Sequence, residues 1–112
     1  GFTFTIGNSL TIEGGQTNPS GTSSEAGQAS TPWTVKFNGQ AVAGATVDLN
    51  VVSPTVELPE SVIVSEEGQD AGNYLLKWGA GLPAGESWTF TVTFTYQGET
   101  VTTETITLTI AA

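Results

Sequence analysis

The stretch Trp88-Thr89-Phe90-Thr91-Val92-Thr93-Phe94-Thr95-Tyr96 alternates without a break between large apolar residues and threonine. Successive side chains of a β-strand point to opposite faces, so this is a strand with one apolar face and one hydroxyl face. A second segment repeats the pattern. Thr103, Thr105, Thr107 and Thr109 alternate with Ile106, Leu108 and Ile110. The link Gln97-Gly98-Glu99-Thr100 can fold the two into a β-hairpin. The chain is therefore all-β, with each strand burying one face.

Upstream the same rule finds shorter strands. Phe2, Phe4 and Ile6 alternate with Thr3 and Thr5, and Leu10 and Ile12 flank Thr11. Residues 14–32 carry no large apolar side chain and are rich in Gly, Ser, Thr and Gln, which predicts a long flexible loop or linker. Trp33, Val35 and Phe37 open the main body. Asn38-Gly39 is a tight-turn signal. A strand is expected over Val42–Val52, with Gly44 at a bulge, and another over Val62–Val64. Residues 65–73 read as an acidic loop, and Tyr74–Trp78 as a strand. The expected organisation is one domain: an N-terminal strand arm over 1–13, a linker over 14–32 and a sandwich body over 33–112. No segment has helical periodicity.

Composition narrows the function. Eleven acidic residues against two lysines give a net charge of −9. Phosphate binding needs clustered Lys and Arg, so nucleic acid and anionic membrane surfaces are not expected partners. There is no histidine and no cysteine, which removes the commonest general base, the commonest transition-metal ligand and any thiol chemistry. No apolar run reaches the roughly 20 residues of a membrane-spanning helix. Position 1 is not methionine, so the chain is read as processed or excised from a longer protein. The low charged fraction of 12%, with abundant Thr, Gly and Ser, suits an exported prokaryotic protein.

The stretch Phe37-Asn-Gly-Gln-Ala-Val-Ala-Gly-Ala-Thr-Val-Asp-Leu49 resembles a segment of bacterial immunoglobulin-like modules of the invasin and intimin type. Asn38-Gly39 matches the turn, and Val42, Gly44, Ala45, Val47 and Leu49 match the strand after it. Ala41 departs from the proline usual there. Ala71-Gly72-Asn73-Tyr74 is similar to the "AG-x-Y" start of a late strand in such domains. The resemblance covers about residues 33–112. It implies an immunoglobulin-like β-sandwich of roughly seven to nine antiparallel strands with Greek-key connections. It also implies a spacer, adhesive or assembly role.

Four groups of residues are candidate sites. Glu66, Glu67, Asp70 and Asn73 could supply oxygens to calcium, although calcium needs six to eight such ligands and solvated acidic turns are common. Trp78 and Trp88, near strand ends, could stack on a sugar, although their alternation with core residues says they are buried. The threonine rows could form an ordered hydroxyl array of the ice-facing or glycan-carrying kind, although threonine is common on solvent-facing strand positions. Phe2, Phe4, Ile6, Leu10 and Ile12 could pair with a neighbouring subunit by strand exchange, or form the first strands of their own sandwich. No acidic pair is placed for catalysis.

The expected function is a non-enzymatic structural module of an extracellular prokaryotic or viral-particle surface protein. Its partners would be neighbouring protein domains or subunits. No cofactor is expected beyond the candidate calcium. The two competing readings are a filament or shell subunit built by N-terminal strand exchange, and a carbohydrate-binding module.

Overall fold

The computed structural model describes residues 9–67 and 71–112. These form eleven strands: β1 (Leu10–Gly14), β2 (Ser20–Thr22), β3 (Gly27–Gln28), β4 (Trp33–Phe37), β5 (Gln40–Ala41), β6 (Thr46–Ser53), β7 (Ile63–Glu66), β8 (Asn73–Trp78), β9 (Ser87–Tyr96), β10 (Glu99–Thr102) and β11 (Ile106–Ala111). Phe2, Phe4 and Ile6 lie outside the described residues.

Two sheets face each other. In the first, β8 has β7 along one edge and β3 and β4 end to end along the other, while β1 and β5 pair with β4. In the second, β9 has β6 along one edge and β10 and β11 end to end along the other. β2 closes that sheet by pairing with β11, in parallel. The end-to-end pairs are why the strands outnumber the seven to nine expected.

The alternation read from the sequence sets the core. Phe90, Val92 and Phe94 of β9 are fully buried, as are Ile106, Leu108 and Ile110 of β11. Trp33 and Val35 of β4 and Tyr74, Leu76 and Trp78 of β8 close on them from the other sheet. The Phe94 ring stands 6.0 Å from Trp33 and 5.3 Å from Tyr74, both tilted. Offset and edge-to-face rings at such distances add to the area they bury.

The turns follow from local chemistry. Asn38 and Gly39 have φ of 53° and 83°, and Gln97 and Gly98 have 52° and 79°. Two successive positive φ values make the two-residue turn whose twist suits a hairpin. Asn38 also holds β1 in register: its Oδ1 accepts from the Ser9 amide at 2.8 Å, and its own amide donates to the Ser9 carbonyl at 2.8 Å.

Three expectations are corrected. Residues 14–32 are not a linker, since they contain β2 and β3. Their order comes from backbone pairing and close approach, which hydrophobic patterning cannot register. Pro19 and Ala29 are buried, and a Cβ on Gly21 or Gly27 would stand 2.6 or 2.7 Å from the Trp78 ring. Second, the strand expected from Val42 begins at Thr46. Third, the acidic loop is shorter than 65–73, because Ser65 and Glu66 belong to β7 and Asn73 to β8.

The second threonine row is interrupted. The β9 partners of Thr102 and Ile106 are Thr93 and Phe90, so β10–β11 carries one residue more than β9 between those points. The bulge turns Thr103 into the core, 7% exposed. Its amide donates to the Val92 carbonyl at 2.9 Å, and its Oγ1 accepts from the Val92 amide at 3.0 Å. The hydroxyl thus replaces the carbonyl that the bulge moved away. Thr103→Val keeps the shape and removes that acceptor. It is expected to lower folding stability by about 1–3 kcal/mol, the cost of an unsatisfied buried amide, read from urea unfolding midpoints.

Candidate functional site

The described members of the candidate calcium set each have another partner. Glu66 Oε1 accepts from the Gly44 amide at 3.0 Å, Glu67 pairs with Lys77 at 3.4 Å, and Asn73 Oδ1 accepts from Thr34 Oγ1 at 2.8 Å. Asp70 lies outside the described residues. Among the described residues no three Asp or Glu side chains stand close enough to share a metal ion.

Trp78 and Trp88 are core residues, 3% and 6% exposed, so neither offers a ring to a sugar. The strand period decides this: Trp88 shares a face with Phe90 and Phe94, and Trp78 with Tyr74 and Leu76. Leu10 and Ile12 lie in β1, which pairs with β4 of the same chain over Leu10–Phe37 to Gly14–Trp33. Lys36 pairs with Glu13 at 3.1 Å, so both lysines of the chain already face carboxylates.

The threonine face is broader than the sequence suggests. Thr46, Thr95 and Thr100 stand abreast on β6, β9 and β10, and Asp48, Thr93 and Thr102 form the next row. Thr89 and Thr107 face each other on β9 and β11. The hydroxyls bond sideways: Asn50 Nδ2 donates to Thr93 Oγ1 at 3.0 Å, Thr93 and Thr102 are 3.0 Å apart, and Thr89 and Thr107 3.3 Å. Such cross-strand contacts stabilise a sheet and account for threonine here without a ligand.

One cavity, of about 340 Å³, lies beside β1 and the Thr103 bulge. Ile12, Gly14, Thr17, Trp33, Thr102, Thr103 and Glu104 line it. Sequence reading missed it because no motif links its residues; they meet only through the pairing of β1 with β4 and the bulge. Its one carboxylate has no lining partner of any titratable kind. Paired general acid and base chemistry needs a second such group.

Tyr74 works as a positioning residue. Its Oη donates to the Val42 carbonyl and accepts from the Ala45 amide, each at 3.0 Å, holding the turn that feeds β6. Gly72 precedes it at φ 88°, where a Cβ would meet Ala41 and the Val42 amide within 2.9 Å. The Ala71–Tyr74 signature thus has a steric cause. Burial raises the Tyr74 hydroxyl above the ordinary tyrosine value, the nearby Glu66 and Tyr96 add to the rise, and the Ala45 hydrogen bond opposes it. The folded chain then holds this proton more tightly than the unfolded one. The stability so gained is complete below the unfolded value and is lost as pH rises through the folded one. Urea midpoints are expected to fall above about pH 10, and to fall less in Tyr74→Phe.

The chain is similar in structure to the titin M3 domain, with a TM-score of 0.63 and 14% identity over 92% of this chain and 97% of that one. It is also similar to the BTLA ectodomain, with a TM-score of 0.56 and 11% identity over 94% and 99%. No family model matches the chain, and no curated protein matches it. At these identities the likeness is one of fold, and it does not single out the invasin and intimin type. The strand layout agrees: β1, β3–β4, β8 and β7 make one sheet, with β6, β9 and β10–β11 in the other, the division found in immunoglobulin domains. The Trp33–Phe94–Tyr74 cluster bridges the two sheets of this cysteine-free core. The chain is an immunoglobulin-like β-sandwich.

Proposed function

We propose that the chain is a non-enzymatic structural module of an extracellular prokaryotic or viral-particle surface protein, serving to space, display or assemble its neighbours. The observation that carries this reading is where the chemistry-bearing side chains go. All three tryptophans are in the core, both lysines are paired with carboxylates, and Glu66 and Glu67 of the acidic segment are engaged with backbone and with Lys77. What remains outside is a hydroxyl-rich sheet face and free strand edges, which suit contact with protein. The prokaryotic assignment rests on the matches at residues 37–49 and 71–74. Protein is the proposed partner, as is general for immunoglobulin-like domains. No helix among the described residues is long and apolar enough to cross a membrane.

An antibody against the chain, applied to intact source cells or particles, is expected to label the outer surface. Labelling only after permeabilisation contradicts the surface assignment. Binding of a simple saccharide tighter than about 1 mM would instead revive the sugar-binding reading.

A further inference from the structure

We propose that the free edge of β6 is a self-association surface, on which a second copy of the chain adds its own β6 in antiparallel fashion. The inference rests on the reading of the chain as a contact-making module and names the surface and the partner.

Three observations converge on this edge. β6 is eight residues long and pairs with β9 alone; no described strand covers its other side. Natural sheets protect such edges with charged side chains, proline, bulges or short strands. From Thr46 to Val51 the strand's one such device is the outward Asp48; the bulge between Val51 and Ser53 and then Pro54 come only at its end. The other described edge strands are shorter: β1 has five residues, and β7 and β10 have four each.

The second observation is incomplete burial. Val47, Leu49 and Val51 sit opposite Phe94, Val92 and Phe90, which are fully buried. The three β6 residues, on the same inner face, are only partly buried. Val52 beside them is 53% exposed. A strand added at this edge would cover the flank they leave open.

The third is self-complementarity, which a two-fold interface requires. Facing residues must share a face, so the symmetric register centres on a residue rather than between two. Centring on Asp48 would oppose two carboxylates. Centring on Leu49 sets Asp48 against Asn50 of the partner and Val47 against Val51. Asn50 Nδ2 uses one hydrogen on Thr93, which leaves the other for the partner's Asp48. Between two chains of net charge −9, contact at a strand with one carboxylate also limits repulsion.

The test is sedimentation equilibrium of the full chain from about 10 μM to about 1 mM. The expected result is a monomer–dimer equilibrium. Asn50→Asp, which opposes carboxylates twice per dimer, should weaken it about tenfold. Asn50→Lys should bind at least as tightly as the natural chain. Leu49→Cys, facing itself across the two-fold axis in a chain without cysteine, should oxidise to a disulfide-linked dimer, while Thr11→Cys on the other sheet should not. A natural chain that stays monomeric at about 1 mM overturns the proposal and leaves a spacer role standing. A dimer indifferent to both Asn50 variants, or no preferential cross-link at position 49, overturns it as well.

Discussion

Phe94→Ala is expected to destabilise the fold by about 3–5 kcal/mol, the range for truncating a fully buried phenylalanine. Phe94 is the ring of the second sheet that touches both Trp33 and Tyr74 of the first. Its removal loses the transfer energy of the side chain. It also leaves a void between two residues whose backbones are fixed in β4 and β8. Those strands cannot collapse into the space, so the cost should fall in the upper part of the range. A domain of this size has only about 5–15 kcal/mol to lose. Phe37→Ala is the comparison. Phe37 packs edge-on against Tyr96 at 5.1 Å but is only partly buried, so it should cost clearly less. Urea unfolding at constant slope would read both. Equal losses would mean that the inter-sheet cluster has no special weight.

Gly15→Ala is the second large effect, about 2–5 kcal/mol, from left-handed strain together with overpacking. Gly15 has φ of 86°, and an added Cβ would stand within 2.5 Å of three atoms of the Trp33 indole. Trp33 is 2% exposed and cannot retreat without disturbing Phe94. Gly39→Ala separates the two contributions. Gly39 has φ of 83° but nothing within 4 Å of the added atom. Only the backbone strain remains there, about 1–2 kcal/mol. If the two substitutions cost the same, the glycine–indole contact does not constrain the fold.

These two residues also show what the sequence could and could not reveal. Phe94 was legible because strand period and apolar size coincide: every second residue of 88–96 is large, and the hydroxyls fall on the other face. The same rule placed Trp33, Val35, Leu76, Leu108 and Ile110 correctly. Gly15 was invisible because its role is the absence of a side chain beside a ring that lies 18 residues later. Gly21 and Gly27 against Trp78 are alike in this. A segment of Gly, Ser and Thr therefore read as a linker, though its backbone pairs with β8 and β11.

The sites followed the same division. The sequence already favoured the core for Trp78 and Trp88, and burial removed the sugar platform. In the fold, Glu66 caps the Gly44 amide and Glu67 meets Lys77. The cavity beside Trp33 depends on a one-residue slip between β10 and β11, and nothing in the run Thr102-Thr103-Glu104-Thr105 marks where that slip occurs. The open flank of β6 could not be foreseen either, because an edge strand and a central strand share one alternation.

The sandwich is completed by its own N-terminal residues: β1, β2 and β3 cover Trp33 and Trp78 and close both sheets. The most direct measurement compares thermal unfolding of the full chain with that of a chain beginning at Thr31. The shortened chain is expected to show no cooperative transition and to lack fixed tryptophan packing by near-ultraviolet circular dichroism. A shortened chain that unfolds cooperatively at the temperature of the full chain would contradict it.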